Sequence, residues 1–268
     1  MGRVIGWGYN NVGQALFDLN MSDVVDIAGG REHSIALRSN SSVIALGDEV
    51  CRDIPESALS NVMGIAAGWY HSLALMYDGT VVGWGHRAVV PQNIPRLVKI
   101  AAGEFFSLGV TGEGEMVIWG YRAPILPEVM KRNVVMVSAS KGDIMILKDD
   151  GSIVVCNING ELYKDVPFNA HSNVKSISAG RNRFFVLKKD GSVVYWGKML
   201  NNMLMEELKS DVVDISAGDD FLIVLKSDGR LVVMGDDWGG QLGVRKLERG
   251  EKIKKVVAGC HHGLILLE

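Results

Sequence analysis

Two short phrases recur along the chain at a fixed distance from each other, and that distance constrains the fold more than any other feature. The first phrase is an apolar run closed by small residues. It reads Ile27-Ala28-Gly29-Gly30, Ile65-Ala66-Ala67-Gly68, Ile100-Ala101-Ala102-Gly103, Val137-Ser138-Ala139-Ser140, Ile177-Ser178-Ala179-Gly180, Ile215-Ser216-Ala217-Gly218 and Val257-Ala258-Gly259. The second is Trp-Gly or a relic of it: Trp7-Gly8, Leu46-Gly47, Trp84-Gly85, Trp119-Gly120, Cys156-Asn157, Trp196-Gly197 and Met234-Gly235. From the end of the first phrase to the end of the second is 17 residues in every complete case. Nine residues follow Gly259; counting on from the first residue, eight more reach Gly8 and restore the same 17. A linear array has no reason to keep register across its ends, whereas a ring does. The spacing predicts seven repeats closed into a circle, with one repeat shared between the two termini.

Each 17-residue unit reads as two strands around a tight turn. Ser72-Leu73-Ala74-Leu75 and Thr80-Val81-Val82-Gly83-Trp84 flank Asp78-Gly79, and the same turn stands at Asp150-Gly151, Asp190-Gly191 and Asp228-Gly229. Glu113-Gly114 and Asn40-Ser41 are variants, and Gly2 takes that place in the split repeat. The stretch from the second phrase to the next first phrase varies from 18 to 24 residues. It has room for a loop, a weak third strand and a fourth strand such as Asp211–Ile215. Four short strands per repeat in a ring of seven predict an all-β, seven-bladed β-propeller occupying residues 1–268 as one domain, closed by N- and C-terminal strands in one blade. Closure also disposes of the sheet edges that a linear stack would leave open.

Composition agrees. Glycine is 32 of 268 residues, about 12% against a usual ~7%, and the repeated phrases account for the surplus. Hydrophobic residues make up 47% of the chain, enough for a core. The net charge of −3 argues against a general nucleic-acid binder, which would carry a basic excess. No apolar run approaches a membrane span, and no leader pattern precedes the first strand, so a cytoplasmic protein is expected, or a secreted one already processed. Cys51, Cys156 and Cys260 are odd in number and lack metal-like spacing, which suits a reducing compartment.

The phrases Gly30-Arg31-Glu32-His33-Ser34-Ile35-Ala36-Leu37, Gly68-Trp69-Tyr70-His71-Ser72-Leu73-Ala74-Leu75 and Asp78-Gly79-Thr80-Val81-Val82-Gly83-Trp84-Gly85 resemble the repeat of the regulator of chromosome condensation family. Gly13-Gln14 and Gly240-Gln241-Leu242-Gly243 resemble its loop signature. Blade length is most similar to that of compact bacterial members, among them a secreted β-lactamase inhibitory protein. The resemblance implies a protein-binding propeller, with enzyme inhibition as one version and guanine-nucleotide exchange as another. No segment here is long enough for the protruding hairpin that the nuclear exchange factor uses on its GTPase. Repeat four, with Ser140, Asp143 and Cys156-Asn157, departs most from the pattern.

Strand alternation places the loops after both phrases on one face and the Asp-Gly hairpins on the other. The hairpin face repeats itself; the opposite face varies from blade to blade, as binding surfaces on fixed scaffolds do. Blades two and three offer Trp69, Tyr70, His86, Arg87, Glu104, Phe105, Tyr121 and Arg122, a mixture of aromatic and arginine side chains suited to interface hot spots. Blades four and five offer Lys141, Arg181, Arg183 and Lys198 as a basic sector, and blade six offers Asp219, Asp220, Asp236 and Asp237 as an acidic one. Such sectors would orient a protein partner. Trp84, Trp119 and Trp196 recur at one structural place and are expected in the core. His33, His71 and His262 also recur at one place, and read as structural rather than as metal ligands. The aspartates of blade six read as turn residues rather than a calcium site, and Met199, Met203 and Met205 as gap-fillers or an adaptable contact.

No nucleophile elbow, phosphate loop, zinc finger or kinase signature is present in the sequence. The expectation is a non-enzymatic, monomeric protein-binding module without cofactor or metal. The alternative is a small-ligand site or enzyme at the axial mouth near Glu104, Asp143, Arg183, Asp220 and His262.

Overall fold

The computed structural model describes every residue except 1, 19, 245, 246 and 249. Among the described residues, seven three-stranded antiparallel sheets follow one another around an axis. Blade 1 is Val24–Gly29, His33–Arg38 and Val43–Gly47; blade 2 is Val62–Ala67, His71–Met76 and Val81–Gly85. Blade 3 is Lys99–Ala102, Phe106–Val110 and Met116–Gly120, and blade 4 is Val134–Ala139, Ile144–Lys148 and Ile153–Cys156. Blade 5 is Val174–Gly180, Arg183–Lys188 and Val193–Gly197, and blade 6 is Val212–Ala217, Phe221–Lys226 and Leu231–Gly235. Blade 7 joins Ile253–Ala258 and His262–Leu267 to Val4–Gly8 from the other end of the chain. The register of that last pairing runs from Val4 opposite Leu266 to Gly8 opposite His262, so the ring closes as the 17-residue spacing requires. No helix among the described residues is long and apolar enough to cross a membrane.

Each sheet is apolar on both faces, and each junction between blades holds its own core. Trp7 packs with Phe221, Ile223 and Leu225 of blade 6. Trp84 packs with Ile35 and Leu37 of blade 1, and Trp119 with Leu73 and Leu75 of blade 2. Trp196 lies against Met145 and Leu147 of blade 4. The Trp of each Trp-Gly phrase is thus the wedge against the preceding blade. Cys156 and Met234 fill the same place in blades 4 and 6 with less volume.

Among the described residues each blade has three strands, not four: the strand expected at Asp211–Ile215 forms as the inner strand Val212–Ala217, whereas the weak strand expected ahead of it does not form. The connecting segments carry Pro55, Pro127 and Pro167, each of which opens a short 3-10 turn. Proline has no N–H for a ladder and favours such starts. These segments serve the core instead: Ala58, Met130, Ala170 and Leu208 from the 3-10 turns, and Leu97 and Phe17 from irregular loops, are all buried in the junctions. Blade 4 keeps the nearest relic of a fourth strand, a single bridge between Cys156 and Leu162.

The same blade explains its own sequence departure. In blade 2, Gly85 has φ +98°, and a Cβ there would meet the Tyr70 carbonyl at 2.7 Å, so only glycine fits. Asn157, in the corresponding place, turns the chain another way. Its side-chain oxygen accepts from Asn159 N at 2.9 Å and Glu161 N at 3.1 Å, leading back to the bridge at Leu162.

Deleting residues 2–8 removes Val4, Ile5 and Trp7, all buried. Losing one buried Trp side chain costs about 3–5 kcal/mol, against a total stability of roughly 5–15 kcal/mol for a domain. The truncated protein is expected to lose cooperative unfolding in a urea titration followed by circular dichroism. A midpoint equal to that of the full chain would contradict closure through this strand.

Candidate functional site

The loops between the inner and middle strands of each blade open around one mouth of the axis, which we call the upper face. In blade 2 this loop is Gly68-Trp69-Tyr70. A Cβ on Gly68 would meet the Gly103 carbonyl at 2.4 Å and His71 Cε1 at 2.6 Å. Glycine therefore lets the loop press against the next blade, and Trp69 and Tyr70 remain half-buried at the surface. The loops that leave the outer strands, Gly85-His86-Arg87 and Gly120-Tyr121-Arg122, arrive beside them. Arg87 and Arg122 occupy matching places and both have left-handed backbone, φ +58° and +60°. Such conformations in residues other than glycine cost of order 1–3 kcal/mol and gather at functional sites.

Together these loops build a ladder of rings and cations. Tyr70 stacks on Phe105 with centroids 5.1 Å apart and planes at 18°. Phe105 meets Tyr121 edge-on at 5.9 Å, and Trp69 meets Tyr70 at 6.0 Å. The Arg87 guanidinium lies 4.0 Å from the Tyr121 centroid, and Arg122 flanks the same ring at 5.5 Å. Both arginines hold the Tyr121 hydroxyl below its usual pKa through hydrogen bonding. At the other end, Lys141 Nζ stands 4.8 Å from the Trp69 ring. Arg31 lies 5.4 Å from both Trp69 and Tyr70 and donates to the Tyr70 hydroxyl. His86 meets Tyr70 edge-on, with Nε2 3.5 Å from the Asp48 carboxylate. Each cation over a ring contributes about 0.5–1 kcal/mol at an exposed site, and the chain of contacts fixes the rings before any partner arrives.

Of the residues singled out in the sequence, the structure therefore brings together Trp69, Tyr70, His86, Arg87, Phe105, Tyr121, Arg122 and Lys141. Glu104 sits at the ladder's inner side, where its N–H donates to the Lys141 carbonyl at 3.3 Å. Arg181 and Lys198 are exposed farther around the rim. The expected basic and acidic sectors each lose a member to the interior, Arg183 from the one and Asp219 from the other. Arg183 is 4% exposed, and its Nη1 donates to Asp220 Oδ1 at 2.9 Å and to the Asp219 carbonyl, so these members of the two sectors neutralise each other through a buried pair. Asp219 is itself 4% exposed and turned from the surface. Asp237 holds its own turn by accepting from Leu242 N at 2.7 Å, and Asp236 accepts from Asn201.

Two features escaped the sequence reading. Arg31 follows Gly30 as Trp69 follows Gly68, so aligning the repeats would have placed it at the ladder. Trp238, 59% exposed, stands outside any Trp-Gly phrase and forms a second cluster with Tyr9 at 5.6 Å and His261 at 4.6 Å. A tryptophan off the repeat's own period was the signal for it.

The family model for the regulator of chromosome condensation (RCC1) repeat matches residues 64–86 and 212–241. Over those residues the chain carries RCC1-type repeats. Among solved structures, that of human WBSCR16 superposes with a TM-score of 0.78 at 16% identity, covering 100% of this chain and 99% of that one. The structure of Prp20p from Saccharomyces cerevisiae, described with its binding to Gsp1p and histones, gives 0.77 at 14% identity, covering 99% and 91%. The complex of Kap60 with yeast RCC1 (Prp20) gives 0.76 at 14%, covering 99% and 88%. At these identities the likeness is one of fold. None of the curated proteins matches the chain by sequence.

The histidine that recurs in this chain staples blades. His262 Nε2 lies 2.7 Å from Ser34 Oγ of blade 1, His33 Nε2 3.0 Å from Ser72 Oγ of blade 2, and His71 Nε2 2.9 Å from Ser107 Oγ of blade 3. Blades 4 to 7 use the inner-strand serine instead: Ser138, Ser178 and Ser216 accept from Ala179, Ala217 and Ala258 N–H of the following blade at 2.8–3.0 Å. The axial mouth expected as an alternative ligand site is closed. Its cavity is about 50 Å³, lined by glycine and alanine with Asp219 and Cys260, and Asp143, Arg183 and His262 are buried in the blades rather than open to it.

Burial pushes the imidazoles of His33 and His71 down to about 4 and that of His262 to about 3, with neighbouring histidines adding for His33 and His262. The unfolded chain takes up protons at the ordinary value near 6.5. Stability conferred by these groups is therefore present above pH 6.5 and is lost as pH falls toward 4, at about 1.4 kcal/mol per pH unit for each histidine. Asp219 acts in the opposite sense: burial, then Asp220, raises it to about 6, so its share is lost as pH rises through 6. The net expectation is a protein that weakens below pH 6.5. Replacing His71 with the phenylalanine found at the matching Phe106 and Phe221 should make the slope of unfolding free energy between pH 6.5 and 4 shallower by about 1.4 kcal/mol per unit. An unchanged slope in urea titrations would show that His71 does not titrate on unfolding.

Proposed function

We propose that the protein is a non-catalytic binding module that takes a protein partner through the upper face, with Tyr70 at the centre of the contact. The observation that carries this reading is the ladder. Three conditions of a binding hot spot meet there: aromatic and arginine composition, half-burial that leaves contact area exposed, and rings held in place beforehand. The opposite face repeats Asp-Gly hairpins and their variants around the ring, and among the described residues it offers no comparable cluster of rings and cations. Propellers of the same fold bind proteins, as Prp20p does Gsp1p and histones. A ring of rigid loops also suits a partner with a folded surface, because little ordering is needed on binding.

Truncating Tyr70 severs Trp69 and Arg31 on one side from Phe105 and Arg87 on the other. A Trp69→Ala/Tyr70→Ala double variant is expected to keep its melting temperature within a few degrees and to weaken the partner complex at least about thirtyfold, the equivalent of one strong hot spot. A Lys189→Ala/Asp190→Ala variant on the hairpin face serves as the control and should bind as the parent does. The partner is obtained by affinity capture with the full chain and then purified for titration calorimetry. Equal affinity of parent and Trp69/Tyr70 variant would remove the ladder from the interface.

A further inference from the structure

At the other mouth of the axis, on the hairpin side, one matching position recurs in every inner strand, the third residue except in blade 3, whose strand begins with it: Asp26, Gly64, Lys99, Met136, Ser176, Asp214 and Lys255 in blade order. Five of these seven positions, from Asp26 to Ser176, border a cavity of about 360 Å³, within the range of small-ligand pockets and equal to the volume of about a dozen waters. The gap comes from Gly64. This glycine stands at a register shift that the other blades make with Asp26, Met136, Ser176, Asp214 or Lys255, and a Cβ there would meet nothing nearer than Leu75 at 3.9 Å. Neither a turn nor a close approach requires it, and glycine in a strand carries a stability cost of roughly 0.5–1 kcal/mol.

The walls are apolar, from Met63, Ile65, Ile100, Met136, Val137 and Ile177. The polar groups are unevenly satisfied. Asp26 is neutralised by Lys255 and also accepts from Ile27 N. Lys99 has no carboxylate within ion-pair distance among the described residues, and its ammonium donates only to the Val135 carbonyl. The Ser176 hydroxyl is buried without a hydrogen-bond partner. An apolar pocket bordered by one ammonium that no carboxylate neutralises fits a molecule with a short apolar body and a single carboxylate. We propose that this mouth binds a small amphipathic carboxylate, its apolar body in the space left by Gly64 and its carboxylate on Lys99. This site is on the face opposite the ladder and does not depend on the protein-binding reading.

The probes are octanoate and, as a neutral counterpart, 1-octanol, titrated into the full chain by calorimetry with thermal unfolding in parallel. Octanoate should bind saturably, one per chain, and more tightly than octanol. Lys99→Met should weaken octanoate about three- to fivefold, the scale of one solvent-exposed ion pair, and leave octanol unchanged. Gly64→Leu should abolish binding of both without lowering the melting temperature. Gly64→Ala, one methyl in the same space, provides the test should leucine disturb the fold, and should weaken both probes. The proposal is overturned if octanoate shows no saturable binding, or if the Gly64 variants bind as the parent does. Equal binding of octanol and octanoate, with Lys99→Met without effect, would overturn the assignment of a carboxylate.

Discussion

A blade of this protein cannot stand alone: its sheet is apolar on both faces, and each face must be covered by a neighbour. The ring must therefore close, and everything else in the structure depends on that condition. Around the upper mouth one hydrogen bond crosses every junction. Cys260 N–H donates to the Gly30 carbonyl, Arg31 to Trp69, Trp69 to Gly103 and Glu104 to Lys141, and Asp219 N–H donates to the Cys260 carbonyl. The two remaining junctions are made by side chains, with Asn182 N–H donating to Asp143 Oδ2 and Arg183 Nη1 to the Asp219 carbonyl. Asp143 and Arg183 stand where other blades have histidine or phenylalanine, so the apparent irregularity of blades 4 and 5 supplies links that the backbone does not make there. Their burial follows from that role. The Asp143 carboxylate accepts from Asn182 and Tyr163, as burial demands, and Arg183 Nη1 is held by Asp220 and two carbonyls while its buried Nε has no partner.

The ring was legible in the sequence because its requirement is periodic. Strand, hairpin and wedge each recur at one place in the 17-residue unit, and hairpin glycines such as Gly79, Gly151 and Gly191 adopt the positive φ that the Asp-Gly turns imply. What lies between units has no such period. Its task is to fill the space between neighbouring blades, and Leu97, Met130 or Ala170 can do so from a loop or a 3-10 turn as well as from a strand. That is why a fourth strand was expected where the chain makes none. Pro55, Pro127 and Pro167 were the available warning, since each removes a ladder donor at the start of the segment.

The upper face was partly legible for a related reason. Trp69, Tyr70 and Phe105 follow the small-residue phrase directly, where the repeat ends and variation begins, and their neighbours Arg87 and Tyr121 follow Trp-Gly in the same way. Sequence places these residues on one face, but it cannot say which charges will be spent on the scaffold. Arg183 and Arg31 look alike as cations near the rim. One is buried in a pair with Asp220; the other lies over two aromatic rings. The difference arises in three dimensions, from whether a neighbouring loop presents a carboxylate or a ring.

The two mouths of the axis show how one repeat can give two chemistries. At the upper mouth the repeat ends in glycine and alanine, blades approach until their backbones hydrogen-bond, and about 50 Å³ remains. On the hairpin side the backbone links run from the start of an inner strand to the preceding hairpin, as Val62 N–H to the Ser41 carbonyl and Val134 N–H to the Gly114 carbonyl, rather than around the bore, so the side chain at the Gly64 position of each strand sets its width. A large residue in every blade would plug it, as Met136 does on its side. Gly64 withholds that volume beside a lysine that no carboxylate neutralises, at a position where the other blades carry side chains. A closed mouth is what the ring needs for its stability; an open one has no part in that stability, which is the physical ground for assigning the space to a ligand.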